Sequence, residues 1–425
     1  MYIDEILLEN IRGFEKLLFS LQRPDKSYAG WTVFTGDNGS GKSTLLKAIA
    51  LTLVSVDTVR VLEPNLNDWV RVGTQSGLIV IGIKPNTDDT FLKLRNDRRS
   101  FFAGWRVTKQ SNVFLERLPK TRTHKNDKKH HEKVSHSILS PDAKGWFSCG
   151  YGPFRRIFGN TPDAKGSEKR FLTLFSESAS LSEVNNWLKE LDYKRLEGKT
   201  DSEQQLQTII QLLNDDLLPN SVKVDRVDSD GIWLIDSRGN QQTWGGMSDG
   251  YRSVLSLLGD IMRHLFSAFD YKTLIDKKDN RLFIKASGVV LIDEIDAHLH
   301  PEWQIKIGFW LKERFPNIQF LVTTHSPIIC QAADENGLFV LPSPDSADEP
   351  RAILGDEYQK IINARSDVIL RSALFGLQNT RSELAIANRR RIAELNAKKR
   401  AGAELTTAEA SELKRLKEFL ENEED

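Results

Sequence analysis

The residues Gly36-Asp37-Asn38-Gly39-Ser40-Gly41-Lys42-Ser43 have the types and spacing of a loop that wraps a phosphate chain. Glycines let successive backbone N–H groups curl around an anion, and a helix starting behind them adds positive potential. In such a loop Lys42 reaches the β- and γ-phosphates of a nucleoside triphosphate, and the Ser43 hydroxyl is a ligand for Mg2+. The expected nucleotide contacts are Gly36, Asp37, Asn38, Gly39, Ser40, Gly41, Lys42, Ser43 and Thr44.

Two acids add what phosphate chemistry needs beyond binding. The apolar run Gly288-Val289-Val290-Leu291-Ile292 ends in Asp293 and Glu294. Asp293 can hold Mg2+, directly or through water, and Glu294 can take the proton of an attacking water. A second apolar run, Ile318-Gln319-Phe320-Leu321-Val322-Thr323, stops at Thr324-His325-Ser326-Pro327. Gly245-Gly246-Met247-Ser248-Asp249-Gly250-Tyr251 precedes an apolar helix, and a Ser/Gly turn at a helix start is another anion site. Taken singly, the acids read equally as a solvated strand end, His325 as a turn histidine, and Ser-Asp-Gly as an ordinary turn. The phosphate loop, the two acids and His325, all at strand ends in one sheet, favour the chemical reading.

Positioning these groups takes a parallel sheet. Trp31-Thr32-Val33-Phe34-Thr35 reads as a buried strand before the loop, and Thr44 to Ala50 as a helix after it. The unbroken apolar run before Asp293 fits a central strand buried on both faces, which delivers carboxylates at its C-terminal edge. A helix from Pro301 to Arg314, with proline in its first turn, leads to the next strand and completes a βαβ unit.

Around this core, residues 66–118 alternate polar and apolar runs, among them Leu78 to Ile83 and Phe91 to Leu94, and predict antiparallel strands. Residues 168–218 carry helical spacing. Val222 to Trp244 predicts short strands broken by turns at Ser229-Asp230-Gly231 and Ser237-Arg238-Gly239-Asn240. Near the C-terminus, Leu384, Asn388, Ile392 and Leu395 have helical spacing, followed by a break at Ala401-Gly402-Ala403. A capping-box pattern at Thr406-Thr407-Ala408-Glu409 then precedes Leu413, Leu416 and Leu420. This predicts a helical hairpin, with Arg389-Arg390-Arg391 and Lys398-Lys399-Arg400 on it. Such a hairpin packs on its own head or docks another chain.

Composition sets bounds. Lys plus Arg and Asp plus Glu are both 59, so no global field draws in nucleic acid, and DNA binding would need local patches. The cysteines Cys149 and Cys330 form no disulfide framework or zinc pattern, as expected of a reducing compartment. No signal-peptide core and no apolar run of the ~20 residues that span a bilayer is present. The expectation is a soluble cytoplasmic protein with no membrane partner. Lys120 to His136 is basic and poor in apolar residues, a predicted surface loop. Its histidines (His124, His130, His131, His136) lack ligand-like spacing, so no metal is expected there.

The order of these pieces resembles the ABC-type ATPase heads of the SMC, RecF and OLD-like group. Gly36 to Ser43 matches Walker A, Met247-Ser248-Asp249-Gly250-Tyr251 the signature, and Leu291-Ile292-Asp293-Glu294 Walker B. Asp296 matches the D-loop and His325 the switch histidine. Leu8-Glu9-Asn10-Ile11-Arg12-Gly13-Phe14 is similar to the first strand of these heads, where an arginine at the position of Arg12 lies near the nucleotide. The signature departs from Leu-Ser-Gly-Gly but keeps Ser248 and Gly250. No Q-loop is assigned. Tyr151-Gly152-Pro153-Phe154-Arg155-Arg156 resembles a Tyr-Gly-Pro-x-Arg stretch of small prokaryotic defence ATPases, and otherwise reads as a Gly-Pro turn with solvated arginines.

The resemblance implies an α/β P-loop head: a mixed sheet with central parallel strands, flanking antiparallel strands, a helical insertion and a C-terminal helical hairpin. Expected boundaries are 1–118 (Walker A half), 119–220 (basic loop and helical insertion), 221–345 (signature, Walker B and switch half) and 346–425 (helical). The implied cofactors are ATP and Mg2+. The implied catalytic residues are Lys42, Glu294 and His325, with Ser43 and Asp293 on the metal. Arg12, Ser248, Gly250 and Asp296 would also contact nucleotide. In such heads ATP lies between two subunits, so a homodimer or larger oligomer is expected.

No heptad run of SMC length is present, and the residues after Cys330 lack the acidic pattern of a Toprim nuclease domain. The pattern is most similar to the stand-alone PtuA ATPases of Septu anti-phage systems. It implies an ATPase that controls a separate HNH-type nuclease. The alternatives are a RecF- or SMC-like DNA-binding ATPase of repair or chromosome maintenance, and the energy subunit of a transporter. Salt-sensitive, ATP-dependent DNA binding would favour the former.

Overall fold

The computed structural model describes residues 1–86, 89, 100–109, 114–117, 145–156, 168–279, 281–344, 346 and 348–418. The predicted strand at Phe91 to Leu94, the basic stretch Lys120 to His136 and Leu420 lie outside the described residues. The chain divides into two compact units, Met1–Ala364 and Arg365–Asp425.

In the first unit the strands are β1 (Tyr2–Ile11), β2 (Phe14–Ser20), β3 (Gly30–Gly36), β4 (Ser76–Lys84), β5 (Phe101–Thr108), β6 (Phe114–Arg117) and β7 (Ser148–Tyr151). They continue with β8 (Lys223–Asp228), β9 (Gly231–Ile235), β10 (Gln241–Thr243), β11 (Ile275–Lys278) and β12 (Arg281–Ile284). The last are β13 (Gly288–Ile292), β14 (Ile318–Thr323), β15 (Leu338–Leu341) and β16 (Arg351–Ala352).

The central sheet has the order β16-β15-β3-β14-β13-β7. The four pairings from β15 to β7 are parallel, and the edge strand β16 runs antiparallel to β15. Register aligns Tyr151 with Ile292, Ile292 with Val322, and Val322 with Val33. The carboxyl ends of β7, β13, β14 and β3 therefore emerge along one edge, where ligands of open α/β sheets bind. A second, antiparallel sheet has the order β2-β1-β4-β5-β6.

The helix Lys42–Thr52 is the filling between these sheets. Its Leu45, Leu46 and Ile49 are wholly buried. They join Ile6, Leu8, Ile79, Ile81 and Trp105 from the antiparallel sheet and Val289, Leu291 and Leu321 from the parallel one in a single core. A helix enclosed on both sides is buried nearly all round, and nine of its eleven residues are buried. Gln319 in β14 ties the sheets directly: its amide accepts from Ile3 N (2.7 Å) and donates to Ile3 O (2.8 Å).

The helices Glu183–Leu196, Thr200–Leu213 and Asp249–Ala268, with the sheet β10-β9-β8, make up the helical region around the signature. The predicted helix Pro301–Arg314 forms with those limits, its first turn capped by His300 and opened by Pro301.

In the second unit the helices Glu383–Arg400 and Thr407–Glu418 form the predicted hairpin. Thr406 and Glu409 make a reciprocal capping box, with Thr406 N donating to the carboxylate (2.9 Å) and Glu409 N to the Thr406 hydroxyl (3.2 Å). Arg391 grips both oxygens of Glu412, and Lys398 both oxygens of Glu409, across the turn. Leu395, Leu413 and Leu416 are buried, whereas Leu384, expected on the same stripe, is 71% exposed.

Candidate nucleotide-binding site

The loop after β3 has the backbone of an anion cradle. Gly36, Gly39 and Gly41 all have positive φ. A Cβ on Gly41 would come within 2.5 Å of the Phe14 ring, and one on Gly36 would strike the Leu341 carbonyl oxygen. Lys42 is buried, and its ammonium donates to the carbonyl oxygens of Gly36 and Asp37, both at 2.8 Å. Burial pushes this ammonium below the ordinary lysine range, while the fields of Asp293, Glu294, Asp37 and Asp296 act in the opposite direction. Asp293, Glu294 and Asp296 thus lie within electrostatic reach of Lys42. Ser40 Oγ is buried within the cradle and has no hydrogen-bond partner among the described residues, a polar atom well placed for an anionic ligand. Asp37, Asn38 and Gly39 are exposed at the rim.

Arg12 sits beside the start of this helix. Its guanidinium lies 4.4 Å over the Trp69 ring and donates to Thr44 Oγ1 at 3.4 Å. Arg12 itself has φ 46°, a left-handed conformation uncommon for a non-glycine residue, fixed by a hydrogen bond from its N–H to Trp69 O (2.7 Å).

At the end of β13, Asp293 is buried and accepts a hydrogen bond from Thr323 Oγ1. The same hydroxyl accepts the Glu294 N–H at 2.7 Å. Glu294 has φ 45°, and its carboxylate makes no hydrogen bond or ion pair among the described residues. Thr324 repeats the device one residue on: its hydroxyl donates to Asp296 and accepts the Ser326 N–H at 2.9 Å. His325, half-buried between these two anchored residues, forms no hydrogen bond with its ring among the described residues. The Asp293 carboxylate and the Ser43 hydroxyl offer the hard oxygen donors that suit Mg2+, and the glycine cradle with buried Lys42 and unpartnered Ser40 suits a polyphosphate. The residues present fit both groups.

Of the residues expected in one site, Gly36, Asp293, Glu294, Asp296 and His325 lie at or just beyond the carboxyl ends of β3, β13 and β14, and Arg12, between β1 and β2, touches Thr44. The structure does not bring Ser248 and Gly250 to them. Ser248 stands at the N-cap position of the helix Asp249–Ala268, without a side-chain capping bond among the described residues, and is exposed. The surroundings of Gly250 are Trp303 and the His298 carbonyl.

Arg155 was left open between a motif residue and a solvated turn. It is 3% exposed, whereas Arg156 is exposed. The Arg155 guanidinium donates to the carbonyl oxygens of Asp293 (3.1 Å), Glu294 (3.0 Å), Ile295 (3.4 Å) and Ala297 (2.8 Å). Burial pulls its pKa down to about 10, against the fields of Asp296, Asp293 and Glu294, so it remains a cation at neutral pH. Thr323, Thr324 and Arg155 are the site residues that sequence reasoning did not assign. Polar residues ending a strand that is otherwise apolar are the signal that could have found the threonines.

The family described as "AAA domain, putative AbiEii toxin, Type IV TA system" matches residues 31–331, more than half of the chain. The Septu protein PtuA of Bacillus mycoides is 25% identical over 387 residues, covering 90% of this chain and 46% of that protein. The chain thus spans about half the length of that relative. The "Retron Ec83 probable ATPase" of Escherichia coli is 24% identical over 420 residues, covering 83% of this chain and 74% of that protein. An SMC head solved with the C-terminal winged-helix domain of ScpA superposes with a TM-score of 0.53 at 18% identity, covering 85% of this chain and all of that one. With its P-loop head fold of the SMC type, the chain belongs to this AAA-domain family.

Proposed function

We propose that this chain is a Mg2+-dependent ATPase whose nucleotide state governs a partner nuclease in prokaryotic anti-phage defence. The observation that carries the enzymatic part is the meeting of the Gly36–Thr44 cradle with Asp293, Glu294, Asp296 and His325 at adjacent carboxyl ends of β3, β13 and β14. The names of the Septu and retron relatives support the defence setting.

In this reading Lys42 exchanges its two carbonyl partners for the β- and γ-phosphates of ATP. Ser43 and Asp293 hold Mg2+, which when bound offsets phosphate charge and orients the phosphate oxygens. Glu294 accepts the proton of the water that attacks the γ-phosphorus, and ADP leaves as the bond to its β-phosphate oxygen breaks. His325 donates toward the γ-phosphate from a loop fixed by Thr324. Arg12 adds positive charge near the start of the helix. The exposed Ser248 and the half-buried Gly250 complete the site of a second copy, so the working form is at least a dimer. The hairpin of the second unit is the partner's docking surface, and the protein works in the cytoplasm. No described helix is long and apolar enough to cross a membrane.

Calorimetric titration of ATP and Mg2+ into wild type and Lys42→Ala tests the core of this. An ammonium reaching two phosphates has no substitute in alanine, so the variant should lose ATP affinity at least tenfold. Equal affinities would end the nucleotide-site reading.

A further inference from the structure

Within the ATPase reading, on which this inference rests, we propose that Arg155 is the positioning residue for the segment that carries Glu294. Four facts point that way. First, its guanidinium donates to four main-chain carbonyls of one short stretch, Asp293 to Ala297. An arginine that collects carbonyls rather than a carboxylate fixes backbone shape; it does not merely balance charge. Second, the stretch is strained. Glu294 has φ 45° and His298 φ 66°, while Arg155 itself has φ 31°. Left-handed conformations at such residues persist only where surrounding contacts over-determine them.

Third, no other side chain makes comparable contacts to this stretch. Among the described residues, Thr323 holds the Glu294 amide and Thr324 the Asp296 carboxylate, while Arg155 is the side chain that reaches the carbonyls, beside a backbone hydrogen bond from Ala297 N to Glu294 O (2.9 Å). Fourth, Arg155 follows β7, which is anchored independently of the nucleotide loop. Asp293 N donates to Tyr151 O (2.8 Å), and Tyr151 Oη donates to Asp260 Oδ2 (3.0 Å) in the signature helix. A base must be held to within a fraction of an ångström of its productive place, and the Glu294 carboxylate has no partner among the described residues to hold it. The aim of Glu294 is therefore set through its backbone, where Thr323 holds the amide and Arg155 the carbonyls.

The test compares Arg155→Met, Arg155→Lys and the exposed neighbour Arg156→Ala with wild type, in full-length protein. ATP affinity, turnover and peptide-resolved amide hydrogen exchange over Asp293 to Leu299 are read together. Arg155→Met should lower kcat at least tenfold with ATP affinity changed less than about threefold. It should also speed exchange in that peptide. Arg155→Lys should fall between, because an ammonium can reach some of the four carbonyls, and Arg156→Ala should match wild type. Unchanged kcat in folded Arg155→Met, or an equal loss of affinity and kcat, would overturn the proposal. If Arg155→Met does not fold, exchange in Arg155→Lys decides: faster exchange supports the positioning role, and wild-type protection overturns it. If wild type hydrolyses no ATP, the ATPase reading fails on its own, and the exchange comparison still decides whether Arg155 orders the stretch.

Discussion

Thr323 donates its hydroxyl proton to the Asp293 carboxylate and, with the same oxygen, accepts the Glu294 amide. One side chain on β14 thus fixes both the candidate metal ligand and the residue that carries the candidate base. Thr323→Val keeps the β-branched shape and the buried volume but leaves a buried carboxylate and an amide without a partner. Loss of such bonds costs on the order of 1–3 kcal/mol. Chemical denaturation should show a loss in that range, and the Mg2+ concentration that half-saturates ATP turnover should rise. A variant with wild-type stability and Mg2+ dependence would show that the hydroxyl is dispensable.

Glu294→Gln preserves shape but cannot take a proton. ATP should still bind, while hydrolysis slows by about 10²–10⁴-fold, the usual worth of a general base. His325→Ala should slow turnover as well, with a smaller loss. Phosphate release under single-turnover conditions reads both. Hydrolysis by Glu294→Gln at wild-type speed would assign the base to another group.

The cradle and the βαβ unit were legible because their signals are local. Glycine spacing marks the loop, and Pro301 marks a helix start that the structure places at that residue. The unbroken apolar run of β13 announces burial on both faces, and all five of its residues are buried. Arg155 was not legible in this way. Its partners are carbonyls, which any sequence supplies, and they lie 138 to 142 residues downstream. The hairpin was legible as two helices, but not in which leucines would face inward. Spacing grouped Leu384 with Leu395, yet only Leu395 is buried. The inner face is also selected by cross-helix pairs such as Arg391 with Glu412, which no single-helix pattern contains. The strand β16 and the helix Gly355–Asn363 belong to the first unit. Tyr358 Oη donates there to Ala333 O, and Gln331 Nε2 to Ala364 O, contacts that a linear reading could not supply.

If Ser248 serves the nucleotide of a second copy, two broken proteins can repair each other. Lys42→Ala disables one half of each composite site, and Ser248→Arg blocks the other. In mixed dimers, one of the two sites is free of both changes. Mixing the purified variants should therefore restore ATPase activity that neither has alone. Absence of recovery, with subunit exchange shown by tagged copies, would place Ser248 outside the site.

Acid should weaken the signature helix through Asp260. Burial alone would raise this carboxyl, but the neighbouring His264 and Arg263 side chains outweigh it and hold the pKa far below the carboxylate range. A folded-state pKa below the unfolded value means stability that is fully present above the unfolded pKa, about 4. It is lost as pH falls below that point toward the folded value. Melting temperature should therefore drop between pH 4 and pH 2.5 in wild type, and drop less in Asp260→Asn. Parallel acid limbs in the two proteins would remove Asp260 from the account.

The hairpin prediction turns on which apolar residues remain available. Leu395, Leu413 and Leu416 are buried, so if the proposed partner docks on the hairpin it reads what is left outside, with Leu384, 71% exposed, the most exposed large apolar side chain among the described residues of the second unit. Substituting Leu413 or Leu416 by Asp would open the hairpin itself and confuse docking with folding. Leu384→Asp does not have that defect, because an exposed helix position accepts a charge at a cost of tenths of a kcal/mol. We expect Leu384→Asp to keep the melting temperature and ATP affinity of wild type while weakening co-purification of the partner nuclease. Truncation after Ala364 removes the whole second unit. It should leave a folded, ATP-binding head, since the nucleotide loop, both central sheets and the Arg155 contacts lie within Met1–Ala364. Partner capture by the truncated head at wild-type strength would show that docking lies elsewhere on the head. Loss of ATP binding on truncation would show instead that the second unit is part of the nucleotide site.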